Sequence, residues 1–222
     1  MLPLAPLLEI VTPASSQQLV DLATLKADLS IGDASQDARL TRVINAVSGQ
    51  VASYIGRPLI EATYRETRWI DAEDRLLDLQ RVPVTAIGSV VESGVTLAST
   101  LYSWIDGQGL LRLDAGGDPT SWARAKVVVT YTAGWIPTTG TPTGAQIVLP
   151  ADLYEAALAA CRAAFLAKDR DPGVVVRSET VPDIYQATYD TRGTTADDGD
   201  LYGLPPATTD VLDAYCRASF LY

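Results

Sequence analysis

Hydrophobic spacing changes twice along this chain, and that alternation limits the fold more than any single motif does. Over 35–56, Leu40, Val43, Ile44, Val47, Val51, Tyr54 and Ile55 recur at helical spacing. Ser35 or Asp33 can cap this helix, and Gly56 followed by Pro58 ends it. From 61 to 135 the period drops to two. Short apolar segments such as "ATYRETRWID", "AIGSVVES" and "RAKVVVTYTAGW" are separated by Val82-Pro83, Ser93-Gly94, Asp106-Gly107 and Gly116-Gly117-Asp118-Pro119. "WIDGQGLLRL" reads as a hairpin. The helical period then returns in "PADLYEAALAACRAAFLAKD", which carries eight alanines between Ala151 and Ala167. Leu153, Ala157, Ala160, Cys161, Ala164 and Phe165 form its inner face.

A block of strands enclosed by helices predicts an α+β chain. The expectation is mainly a helical bundle of about four helices, with an inserted antiparallel β region and a C-terminal extension. Residues 1–20 read as an irregular arm, with Pro3, Pro6 and Pro13. The core spans 21–170, with helices over 21–56 and 150–168 and the β insert over 61–135. A first short helix at 21–30 places Leu22, Leu25 and Leu29 on one face. Residues 136–149 form a linker rich in Thr, Gly and Pro, and 171–204 an extended hairpin and acidic loop. A helix at 207–219, capped by Thr208 or Thr209, precedes an apolar tip, Phe220-Leu221-Tyr222. Val211, Leu212, Tyr215, Cys216 and Ser219 share one face of that helix. Such an end either folds onto its own core or docks on another protein.

Within "VVVTYTAGW", Val127, Val129 and Tyr131 face one way, and Val128, Thr130 and Thr132 the other. Gly134 permits a turn, and Pro137 bars continuation in a central strand.

The composition removes most catalytic classes. The chain of 222 residues has no histidine, so Ser-His-Asp, Cys-His and His-based metal sites are absent. There is no phosphate-binding Gly-rich loop and no dinucleotide fingerprint. Asp71, Glu73 and Asp74 form one acidic cluster that could serve a hydrolase, although a solvated turn is the simpler reading. Asp197, Asp198 and Asp200 miss the spacing of a calcium loop. Arg57, after a helix and before Pro58, could bind an anion, although a C-terminal cap or a salt bridge is the simpler reading. Cys161 and Cys216 read as small buried apolar residues, which favours a reducing compartment. The net charge is −10, and 169–213 alone holds ten acidic and three basic residues, a net of −7. That balance argues against tight DNA binding, which needs clustered Lys and Arg. The apolar opening "MLPLAPLLEIV" lacks a basic flank and is too short to span a bilayer, so it reads as a mobile arm or a partner-binding strap.

Several stretches, in order, resemble the head–tail connector (adaptor) proteins of long-tailed bacteriophages and gene transfer agents. They are "DLATLKADLSIGDASQDARLTRVINAVSGQVASYIGRPL" (21–59), "RVPVTAIGSV" (81–90), "VTYTAGW" (129–135), "LPADLYEAALAACRAAF" (149–165) and "RSETVPDIYQATYD" (177–190). The structural signature lies at Gly56, Arg57, Tyr131, Gly134 and Trp135. The long 136–149 linker and the extended acidic 191–204 loop depart from the commonest pattern.

The resemblance implies a non-enzymatic virion protein without cofactor or metal. Its copies form a ring, usually dodecameric, beneath the portal; the ring continues the DNA channel and offers a platform to tail-side proteins. DNA passes without sequence-specific binding, and no membrane is involved. Assembly in the host cytoplasm and residence at the virion neck follow. Portal docking then falls to Val211, Leu212, Tyr215, Phe220, Leu221 and Tyr222. Subunit or tail-side contacts fall to Arg177, Glu179, Ile184, Tyr185 and Tyr189. The competing reading is a stopper or tail-completion protein of the same neck.

Overall fold

The computed structural model describes residues 5–70, 75–106, 109–123, 126–167, 176–181, 185–190 and 203–217; for 176–181, 185–190 and Arg217 the description covers backbone only. The chain divides into two compact units. One comprises Met1–Gln17, Arg57–Pro150 and Cys216–Tyr222; the other comprises Gln18–Gly56 and Ala151–Tyr215.

Among the described residues, the first unit has eight strands: β1 (Leu7–Thr12), β2 (Ala62–Trp69), β3 (Leu76–Leu77), β4 (Val84–Glu92), β5 (Val95–Thr96), β6 (Tyr102–Ile105), β7 (Gly109–Arg112) and β8 (Lys126–Ala133). One sheet has the order β1-β2-β8-β4-β5 and a second the order β3-β7-β6. Every strand pair in both is antiparallel. The "VVVTYTA" strand, last in chain order, therefore lies at the centre of the larger sheet. Its alternation is as expected: Val127, Val129, Tyr131 and Ala133 are buried, and Val128, Thr130 and Thr132 are half-buried. The buried set joins Tyr64, Val90, Leu77, Leu110 and Trp122 in one core shared by the two sheets. At the β4–β5 turn, Ser93 (φ 52°) and Gly94 (φ 84°) both take positive φ, the geometry of a type I′ hairpin turn.

Two expectations change in this unit. Residues 7–12 are a strand rather than part of an irregular arm: β1 pairs with β2 from Leu7↔Thr67 to Thr12↔Thr63. The run "LLEIVT" has the β-branched content that suits an edge strand, and Pro13 stands just beyond it. Secondly, the β region has its own two-sheet core, so the chain is α+β without being mainly a helical bundle.

The second unit holds α1 (Leu22–Asp28), α2 (Asp37–Ile55), α3 (Ala151–Ala167), the strands β9 (Val176–Val181) and β10 (Tyr185–Asp190), and all but the last two residues of α4 (Pro206–Arg217). Asp21 caps α1 by accepting from the Thr24 amide at 2.8 Å. Leu40, Ile44, Val47, Val51 and Ile55 line the buried face of α2. Gly56 ends that helix in the left-handed conformation, φ 79°. The expected caps at the other end are not used. Gln36 occupies the N-cap position of α2 without a side-chain cap bond, because Asp33 accepts from Ser35 N (2.9 Å) and Oγ (2.6 Å) and closes its own turn.

Nor do Thr208 and Thr209 cap α4. The helix starts at Pro206, whose missing N–H costs nothing in a first turn, and both threonines lie inside it. On α3, Leu153, Ala157, Ala160, Cys161 and Phe165 are buried as expected, together with Tyr154, Ala156 and Leu158. Ala164 is exposed instead, so the buried stripe turns toward Leu158. Burial pushes the Cys161 thiol up to about 12, leaving it unreactive at neutral pH. Cys216 is only partly buried.

Candidate functional site

The signature residues of the sheet unit meet where β8 ends. Gly134 has φ 120°, and its chain crosses the 59–61 segment at close range. Gly134 N donates to Pro83 O, Trp135 N to Leu59 O, and Glu61 N to Trp135 O, each at 2.9 Å. Arg57 closes the same corner. Its Nη1 donates to Val82 O at 2.9 Å, and its guanidinium lies 5.5 Å from the Trp135 ring centre. This role differs from the helix cap or salt bridge expected from sequence, since no ion-pair partner of Arg57 occurs among the described residues.

Tyr131 continues from this corner into the core. Its hydroxyl donates to Glu66 Oε2 at 2.8 Å and accepts from Arg81 N at 3.2 Å. Glu66 is only 1% exposed, and its carboxylate also accepts from Gln80 N (3.0 Å) and Arg68 Nε (2.7 Å). A second buried pair, Glu92 and Arg112 at 3.1 Å, ties β4 to β7 across the two sheets. Glu92 also accepts from Ala123 N at 2.7 Å, while Arg112 donates to the Leu101 and Leu113 carbonyls. Sequence reasoning missed both carboxylates. The signal for Glu66 was its parity: it shares the inward face of β2 with Ala62 and Tyr64.

These buried groups have an alkaline consequence. Burial first, then the charge of Glu66 and the hydrogen bond to it, push the Tyr131 phenol well above its ordinary 10. In the unfolded chain the phenol ionises near 10, whereas the fold keeps it neutral. Its contribution to stability is therefore complete below pH ~10 and is lost as pH rises further. Urea unfolding is expected to lose stability from pH ~9, where the unfolded Cys161 thiol ionises, and more steeply above pH ~10, where Tyr131 adds up to about 1.4 kcal/mol per pH unit alongside Tyr64 and Tyr215. Tyr131→Phe should flatten that decline. An unchanged slope in the variant would assign it elsewhere.

Three of the residues expected to dock, Val211, Leu212 and Tyr215, lie on α4. Val211 and Tyr215 are half-buried on α4. Leu212 is 0% exposed, and Thr208 and Leu204 are buried too, so the Leu212 side chain offers no surface in the free chain. Tyr215 donates to Asp152 Oδ1 at 2.6 Å, and Tyr54 donates to Asp213 Oδ1 at 2.7 Å. Arg177, Glu179, Tyr185 and Tyr189 lie on the β9–β10 ladder, which pairs Arg177 with Tyr189 and Tyr185 with Val181. Phe220, Leu221, Tyr222 and Ile184 lie outside the described residues, as do Asp71, Glu73, Asp74, Asp197, Asp198 and Asp200. Among the described residues, no group of His, Cys, Asp or Glu could hold a metal ion, and no helix is long and apolar enough to cross a membrane.

One exposed apolar surface lies on the opening segment. Leu7 (62% exposed) and Ile10 (53%) on β1, with Val11 and Trp69, leave apolar side chains around the sheet's outer edge.

No protein-family model and no curated protein matches the chain. Chains of solved structures do. One belongs to a structure described as "Neck of empty GTA particle computed with C6 symmetry", with 21% identity, a TM-score of 0.46, and coverage of 75% of this chain and 88% of that one. A second is from "Virion of native gene transfer agent (GTA) particle", at 19% identity, TM-score 0.48, and coverage of 79% and 89%. A third is from "Neck of native GTA particle computed with C12 symmetry", at 18% identity, TM-score 0.45, and coverage of 79% and 88%.

Proposed function

We propose that the chain is a structural protein of the neck of a phage-like particle, acting as a head–tail adaptor. Copies assemble as a ring, a dodecamer, under the portal; the ring extends the DNA channel and gives tail-side proteins a platform. The observation that carries this is the ordered set of adaptor-like stretches, four of which mark the boundary of an element. Gly56-Arg57 follows α2, Pro83 precedes β4, Gly134-Trp135 follows β8, and Pro150 precedes α3. The acidic balance, net −10, supports it too, since a channel wall of like charge lets phosphates slide past.

Val211, Tyr215 and the tip at Phe220, Leu221 and Tyr222 are the residues proposed to meet the portal. Arg177, Glu179, Ile184, Tyr185 and Tyr189 are proposed to reach neighbouring copies or the tail side. Deleting all of 205–222 would also take Leu212 and Thr208 out of the unit's interior and confuse docking with folding. Truncation after Arg217 avoids this. Expected are heads that package DNA but lose it or fail to join tails, with infectious or transfer yield falling at least tenfold. Normal yield with the truncated chain would remove the tip from the portal interface.

A further inference from the structure

We infer that the outer edge of β1 is a strand-addition site for a second copy of this chain, filled by that copy's β9–β10 ribbon. β1 is an outer strand of the five-stranded sheet, and among the described residues only β2 pairs with it. One row of its backbone N–H and C=O groups therefore faces away from the sheet, a template for a further strand. Leu7, opposite Thr67, and Ile10, opposite Tyr64, lie on different faces of the sheet and are 62% and 53% exposed. Leu8, on the same face as Ile10, already packs against the core. A strand laid along this edge would thus cover apolar surface on both faces.

The other sheet edges of this unit are blunted by shortness. β3 and β5 have two residues each, and β6 has four. β1 has six, with neither Lys nor Pro, and its single charge, Glu9, meets Arg65 at 3.4 Å. Its register with β2 is regular from Leu7 to Ile10 and shifts only before Thr12. The one long edge is also the one without a guard.

The chain carries a strand pair in the matching condition. β9 and β10 pair with each other from Val176↔Asp190 to Val181↔Tyr185, and with no third strand among the described residues. A lone two-stranded ribbon is marginal in water and gains from a third strand. Each of its strands has six residues, as β1 has. Directly opposite positions share a face, so the register places Val181, Tyr185, Ala187 and Tyr189 along one face of the ribbon. That apolar row would continue the apolar surface at the β1 edge. Within one chain β1 and the ribbon belong to separate sheets, so a second copy brings them together. Donor and acceptor surfaces differ, which makes the contact head-to-tail: each copy gives a ribbon and receives one, and a suitable rotation closes the series into a ring. The inference rests on the ring reading above and adds where on its neighbour the ribbon lands.

The test is cross-linking of the purified full-length chain over a concentration series. A Cys216→Ser background leaves buried Cys161 as the only native thiol. One preparation carries Val11→Cys and another Thr188→Cys. With a short bismaleimide the mixture should give a covalent dimer whose yield rises with concentration, and neither preparation alone should. Ile10→Lys, added to the Val11→Cys chain, puts a charge on the edge at an exposed position. It should cut the yield about tenfold or more while circular dichroism stays unchanged. No dimer in the mixture would overturn the site, as would a yield that Ile10→Lys leaves unchanged. A dimer from Val11→Cys alone would overturn it too, by placing β1 against β1. The adaptor reading fails separately: a neck ring of copies that never cross-link this way would keep the adaptor and remove the edge contact, whereas cross-linking copies absent from the neck would do the reverse.

Discussion

Gly134→Val is expected to leave almost no folded soluble protein. A Cβ at position 134 would lie 2.7 Å from Glu61 N and 2.8 Å from both Glu61 Cα and Ile60 C. Those are backbone atoms of the crossing segment, held by the Glu61–Trp135 and Trp135–Leu59 hydrogen bonds, so no rotamer change relieves the overlap. A β-branched residue at φ 120° adds strain of its own. Together these place the cost at about 4 kcal/mol or more, against a total stability of about 5–15 kcal/mol for a typical domain. Gly144→Val is the control. Gly144 also has positive φ, 63°, but nothing lies within 4 Å of its added Cβ. Its cost should stay near the left-handed penalty of about 1–2 kcal/mol. Soluble yield and urea midpoint distinguish the two; equal midpoints would mean that the crossing does not constrain the fold.

Glu66→Ala has the second-largest expected effect. The change deletes a carboxylate that accepts from Tyr131, Gln80 and Arg68 inside the core. Tyr131 Oη, 0% exposed, would then lack an acceptor in the core, the Gln80 amide would lose its own, and half-buried Arg68 would lose its counter-charge. Breaking a buried pair in this way costs about 3–5 kcal/mol. Tyr131→Phe removes one donor and leaves the carboxylate two others, so about 1–2 kcal/mol is expected. The double variant should cost less than the sum of the two, because the hydroxyl and the carboxylate satisfy each other. Strict additivity in urea titrations would show that the contact is energetically idle.

Much of this architecture is visible in the one-dimensional pattern, and the exceptions share a cause. The alternation in "VVVTYTA" sets the inward face of β8, and the spacing of Leu40, Ile44, Val47, Val51 and Ile55 sets that of α2. Both are local periodicities. Gly134 was legible as a turn, but the segment that makes glycine obligatory lies some seventy residues earlier, around Glu61. No local rule reaches that far. Glu66 had the parity of a buried residue, yet its acceptors' partners come from Gln80 and Tyr131, on other parts of the chain. The caps failed for a different reason: Asp33 has a nearer use in its own turn, and Pro206 starts α4 before either threonine. Leu212 was expected at the portal contact, whereas in the free chain it is fully buried. Of the proposed contact residues, Ile184 and the tip lie outside the described residues.

The adaptor role itself is tested most directly by a cryo-EM reconstruction of the neck in particles that carry this chain. The expected result is a ring of copies directly beneath the portal, around the DNA channel, with the C-terminal segment of each copy against the portal. Density for this chain confined to the tail tube or to a plug below such a ring, or its absence from the neck, would contradict the proposal.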